Sequence, residues 1–188
     1  YFGRDALQSI EIVDKNGDIR AENSRLQEEF KEKNKSEKIK NTLESESDMI
    51  DIVSGKGGIA IKTYSVSKKY MRSKNKGLII LTLPMNIIFA NNMKNITDTE
   101  IVFYTKQNFL TGTFFRVNNS EMVKLQNEEE VFNKILKGEK IIIRDKEINF
   151  GEINGKSIKE KYKFAFAPIK NYKDEIIGMI AVAATTKD

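Results

Sequence analysis

Apolar residues recur along this chain at two different periods, and the changes between them mark out its elements. Ile10-Glu11-Ile12-Val13, the turn residues Asp14-Lys15-Asn16-Gly17, and Asp18-Ile19-Arg20-Ala21 read as a β-hairpin, with Asn16 and Gly17 both suited to positive φ. From Glu22 to Asp51 the pattern becomes helical. Leu26 and Phe30, then Ile39 and Leu43, fall four apart in a strongly charged stretch, and Asn34 to Ser36 interrupts it. Such a charged face is ordinarily a solvated helix surface. Ser47 and Asp48 are placed to cap a short helix through Met49, Ile50 and Val53, with Gly55 as its left-handed end. Gly58 to Val66 then alternates as a strand, and Lys68 to Lys76 is a basic loop. Gly77 to Leu83 is an apolar strand expected to be buried on both faces, ended by Pro84.

The order then repeats. Asn86 to Met93 reads as a helical connection, and Thr97 or Asp98 marks a new start. Glu100 to Tyr104 and Phe109 to Val117 follow as strands around a turn at Thr105 to Asn108. Asn127 to Lys137 places acids in the first turn, a lysine in the last, and Val131, Phe132, Ile135 and Leu136 on one face, as a helix requires. Its expected counterpart in the first half is Met49 to Gly55. Strand Lys140 to Arg144, a loop containing Gly151, Asn154 and Gly155, strand Lys161 to Ile169, a loop at Lys170 to Asp174, and strand Glu175 to Ala184 complete the second half. Two such sets predict an α+β fold of two modules of about ninety residues each, split at 1–96 and 97–188. In each, a sheet covered on one side by helices leaves room for a small ligand.

Composition fits a folded chain. Hydrophobic residues make up 39% and charged residues 31% of 188. The longest uncharged runs, Gly77 to Met93 and Ile176 to Thr186, do not supply the ~20 apolar residues of a membrane helix. The chain begins at Tyr1 and reads as an excised piece, so an anchor can lie outside it. The absence of cysteine removes disulfides and thiolate metal sites. A formal charge of +5 is dispersed among acids, which is a weak footprint for nucleic acid, and none is expected as a partner.

Phe166-Ala167-Pro168-Ile169-Lys170-Asn171, followed by Asp174-Glu175-Ile176-Ile177-Gly178-Met179-Ile180-Ala181-Val182, resembles the closing hairpin of Cache sensor domains, which are PAS-like. Ile12-Val13-Asp14-Lys15-Asn16-Gly17-Asp18-Ile19 is similar to their opening strands. The resemblance implies tandem PAS-like modules forming the extracytoplasmic part of a bacterial chemoreceptor, sensor histidine kinase or cyclic-dinucleotide signalling protein. It further implies a homodimer, flanking membrane segments, and a small-molecule ligand in the membrane-distal half, residues 5 to 95. The long N-terminal helix of that family is missing here, and no amino-acid-binding pattern is found.

Candidate ligand residues follow from side-chain chemistry. Arg72 beside Tyr70 offers a guanidinium fork with an aromatic wall, against the plainer reading of a solvated loop arginine. Lys62, Tyr64 and Thr82 lie on flanking strands and can supply ammonium or hydroxyl contacts. In the second half Arg116, Tyr104, Tyr162, Phe164 and Phe166 place one charge among several rings, which suits an apolar pocket or simple core packing. Asp145 and Asp174 fit turns better than a ligand ammonium.

Enzyme chemistry finds little support. There is no histidine or cysteine, Gly55-Lys56-Gly57-Gly58 lacks phosphate-loop spacing, Ser120 and Asn118 have no base, and Glu128-Glu129-Glu130 answers a helix dipole. No cofactor or metal site is expected. The leading expectation is a non-enzymatic sensing domain. The alternative is a dimerisation or docking module whose pockets are filled by side chains, and a hydrolase would need a carboxylate cluster that the sequence does not present.

Overall fold

The computed structural model describes residues 9–24, 30–67, 77–118 and 120–186. The chain divides into two compact units, Tyr1–Pro84 and Met85–Asp188. The described residues are mostly strand, arranged as two five-stranded antiparallel sheets with three helices.

The first unit opens with β1 (Ser9–Val13) and β2 (Ile19–Ser24), joined by a turn that Asp14 organises. Its Oδ1 accepts the backbone N–H groups of Asn16 and Asp18, at 2.8 and 3.0 Å. Gly17 takes positive φ, +83°, while Asn16 does not. A Cβ at Gly17 would stand 3.3 Å from the Ile39 side chain, so glycine lets α1 (Glu37–Ser45) approach the hairpin. Ser36 caps that helix by accepting from the Ile39 N–H at 3.3 Å. The expected break at Asn34 to Ser36 therefore stands, but Glu22 to Ser24 is strand, and the α-helix begins only at Glu37. Leu26 lies outside the described residues.

The sharper correction concerns Met49 to Gly55. This segment is a strand, β3, paired in full register with β4 (Gly58–Val66) from Met49 opposite Tyr64 to Gly55 opposite Gly58. Met49, Asp51 and Val53 face inward while Ile50 faces out, and β-branched residues at 50, 52 and 53 favour this pleat over a helix. Asp48 does not cap a helix: its Oδ1 accepts the Val66 N–H at 2.9 Å. β5 (Leu78–Pro84) lies between β1 and β4, giving the order β2-β1-β5-β4-β3. Its Leu78, Ile80 and Thr82 are buried, whereas Ile79 on the other face is exposed, so the strand is not sealed on both sides.

In the second unit α2 (Ile87–Thr97), capped by Asn86, precedes β6 (Glu100–Thr105) and β7 (Asn108–Gly112) and packs on them, with the Phe89 ring 5.8 Å from that of Phe103. The boundary between units consequently falls before α2 rather than after it. β7 is shorter than expected. Beyond Gly112 the chain folds on itself through an isolated bridge between Phe115 and Met122. α3 (Glu129–Leu136) buries Val131, Phe132 and Ile135. β8 (Ile142–Ile153) and β9 (Lys156–Lys170) form a long hairpin closed at Asn154-Gly155, both with positive φ, over a stretch that the sequence pattern reads as a loop. β10 (Ile176–Thr185) completes the order β7-β6-β10-β9-β8. Counted from each hairpin, both sheets have the same order, and α1 and β3 of the first correspond to α3 and β8 of the second.

Candidate ligand site

The inner face of the first sheet carries an unusual share of polar side chains. One row across it runs Ser9, Thr82, Lys62, Asp51, each opposite the next through the register of β1, β5, β4 and β3. The adjoining row runs Glu11, Ile80, Tyr64, Met49. Lys62, Tyr64 and Thr82, singled out from sequence, therefore share one buried face. Tyr70 and Arg72 lie outside the described residues.

Glu32, on the segment leading to α1, reaches this face and organises part of it. Its Oε2 accepts from the Lys62 ammonium at 3.1 Å and from the Tyr64 hydroxyl at 2.5 Å. Burial opposes ionisation of Glu32, but the Tyr64 hydrogen bond and the Lys62 charge outweigh it and hold the carboxyl below its usual range. The Tyr64 hydroxyl is pushed far up by burial and by the Glu32 charge, so it remains a proton donor. At the sheet edge, the almost fully buried Asp51 is met by the Lys38 ammonium at 2.6 Å.

The rest of the face is not satisfied. Glu11 accepts the backbone N–H of Glu32 on Oε1 at 3.2 Å, but its Oε2 has no partner among the described residues. The same holds for the hydroxyls of Ser9 and Thr82. These residues are 0%, 1% and 0% exposed for Glu11, Ser9 and Thr82. Each orphaned group costs on the order of 1–3 kcal/mol of folding stability. Burial raises the Glu11 pKa above its ordinary value. One carboxyl oxygen and two hydroxyls thus stand ready to bond a small polar molecule that brings N–H or O–H donors.

Ser9, Glu11 and Glu32 were not singled out from sequence. The first strand alternates, and its conspicuous residues Ile10 and Ile12 suggest the buried set. The structure buries Ser9, Glu11 and Val13 and leaves Ile10 and Ile12 exposed. A pleat read one residue out of phase exchanges its faces. β5 carries Thr82 among apolar residues on its buried face and only apolar ones on the other, so its pattern gives little to fix the phase of β1.

The second sheet treats the equivalent positions differently. Aligning Gly77 with Gly178 puts Ile80 with Ala181 and Thr82 with Ala183. Ala181 is flanked by Phe166 and Val102, and Ala183 by Phe164 and Glu100. Phe164 and Phe166 thus stand where Lys62 and Tyr64 stand in the first unit. Their rings stack at 5.8 Å, and Phe114 packs on Phe164 at 5.8 Å and edge-on to Tyr162 at 5.0 Å. Tyr104 lies in the same core, 6.0 Å from the Phe166 ring, with its buried hydroxyl unbonded among the described residues, while that of Tyr162 donates to Glu160 Oε2 at 2.9 Å. Of the second-half candidates, Tyr104, Tyr162 and Phe164 pack together in the core, whereas Arg116 is exposed on an open cleft of about 800 Å³.

Among the described residues no three acidic side chains gather as a metal site, and no helix is long and apolar enough to cross a membrane. Compared with protein-family models and with curated proteins, the chain matches none.

Proposed function

We propose that this chain is a small-molecule sensing domain built from two PAS-like modules of the Cache type, serving as the extracytoplasmic part of a bacterial membrane receptor. The common sheet order of the two units supports the tandem reading, together with the resemblance of the Phe166 to Val182 hairpin. Receptor context, extracytoplasmic location, homodimerisation and flanking membrane segments rest on that resemblance.

The observation that carries the ligand reading is the buried polar face of the first unit. The first sheet leaves polar atoms of Glu11, Ser9 and Thr82 without a partner among the described residues, whereas the second places Val102, Glu100 and Ala183 at the equivalent positions and Phe164 and Phe166 beside them, and that expenditure of stability at one place supports a ligand there. The ligand is a compact polar molecule that donates to Glu11 and exchanges hydrogen bonds with the two hydroxyls. Binding alters output only if two conformations hold the ligand unequally, and β10, the last strand of the second unit, is the element that would pass the difference on.

Isothermal titration and thermal-shift screening over amines, amino acids, organic acids and purines tests this. A binder lost in Glu11→Gln and in Lys62→Met supports the reading. A chain that binds nothing in such a screen is not a ligand sensor. The ring-filled interior of the second unit favours a second reading, that this half serves as a dimerisation or docking module without a ligand of its own. Sedimentation of the full chain, with and without the ligand found, separates the two.

A further inference from the structure

β8 is an edge strand, hydrogen-bonded to β9 on one side only within its sheet. At its far end the open edge is met by the segment that follows β7. The Val117 N–H donates to the Phe150 carbonyl at 3.0 Å, and the Asn118 side-chain amide donates to the Glu152 carbonyl. That segment is cinched by backbone bonds from Val123 to Phe114, 2.8 Å, and from Arg116 to Glu121, 2.7 Å. Between it and β8 runs the open cleft of about 800 Å³.

The cleft has two chemical halves. Its floor is apolar: Ile148 and Phe150 belong to the buried core, and Val123 and Leu125 pack partly buried against it. Its cations are Arg116, Lys124 and Lys146. Lys146 is already neutralised by Glu128 and lies over the Phe164 and Phe166 rings, at 5.7 and 5.6 Å. Arg116 and Lys124 have no carboxylate partner among the described residues. On the opposing side Glu147 is paired with Lys159 at 3.0 Å, which leaves Glu152 as the one wall carboxylate without a cationic partner among the described residues.

We propose that this cleft binds a small organic anion of single charge with an apolar body, a monocarboxylate. Arg116 and Lys124 hold the head, and the half-buried Val123 and Leu125, backed by Ile148 and Phe150, receive the body. Two unpaired cations offset by one unpaired carboxylate suit a single negative charge better than a phosphate dianion. The apolar floor discriminates against a bare inorganic ion. The site is separate from the polar face of the first unit and does not depend on it.

Hexanoate, hexanol and inorganic phosphate are the probes, titrated into the full chain while backbone amide shifts are followed by NMR. Hexanoate is expected to move the amides of Val123, Ile148 and Gly151, with hexanol and phosphate leaving them nearly still. Arg116→Ala and Lys124→Ala, both at exposed positions, are each expected to weaken hexanoate about tenfold, the scale of one lost charge-assisted hydrogen bond. Unchanged circular dichroism confirms that these variants are folded. The proposal is overturned if hexanoate moves none of these amides, if phosphate binds as well as hexanoate, or if both variants bind like the parent chain.

Discussion

Glu11 and Glu32 are joined through a backbone group: the N–H of Glu32 donates to Glu11 Oε1 at 3.2 Å, while the Glu32 carboxylate turns away to Lys62 and Tyr64. The two acids are therefore perturbed in opposite directions from the same ordinary value of 4.5, Glu11 upward through burial and Glu32 downward through its donors. Neighbouring carboxyls whose proton affinities are driven apart in this way are a common mark of a working site.

The pH dependence follows from those directions. Glu32 stabilises the fold above 4.5, and that contribution is lost as pH falls through its lowered folded value. Glu11 acts the other way: its unfolded form ionises first, so stability declines as pH rises from 4.5 through its raised folded value. Urea midpoints across this range are expected to show Glu11→Gln removing the decline on the alkaline side and Glu32→Gln removing that on the acid side. Identical profiles for both variants and the parent chain would refute this account.

Thr82→Val exchanges a buried hydroxyl, unbonded among the described residues, for a methyl group of the same shape. Stability is expected to rise by roughly 1 kcal/mol in chemical denaturation, while affinity for the proposed ligand of the first unit falls. A substitution that loses both stability and binding would mean that the hydroxyl has a structural partner.

In the second unit Tyr104→Phe removes another buried hydroxyl without a partner among the described residues and is expected to add about 1 kcal/mol. Phe166→Ala, by contrast, opens a cavity among Tyr104, Phe164 and their neighbours and is expected to cost about 3–5 kcal/mol. Thermal unfolding of the two variants should move in opposite directions.

Gly17→Ala places a side chain at φ +83° and 3.3 Å from Ile39. A loss of about 1–2 kcal/mol is expected, read as a lowered urea midpoint.

Much of the strand and helix order was legible because the decisive signals were local. Asp14 to Asp18 and the Val131, Phe132, Ile135 stripe declare themselves within a few residues. The failures came where partners were distant. Met49 to Gly55 could be capped as a helix, and only its pairing with Gly58 to Val66 makes it a strand. The Lys- and Glu-rich arms of β8 and β9 hide a hairpin, because the core-facing Ile148 and Phe150 of β8 follow a charged stretch and Lys156 to Lys161 of β9 includes no buried residue, so the alternation that announces a half-buried strand is faint. Within the candidate site Lys62, Tyr64 and Thr82 were visible as polar residues set in apolar strands. Glu32 was not, because its role depends on a loop returning to the sheet.

The two sheets share an order but not an interior, and this has a consequence for cooperativity. The aromatic interior of the second unit gains dispersion contacts from every ring it closes over and leaves the Tyr104 hydroxyl without a partner among the described residues, whereas the first gathers three such groups, from Ser9, Glu11 and Thr82, on one face. On heating, the first unit should loosen before the second, so that one melting curve becomes two, and the proposed ligand should shift only the earlier one.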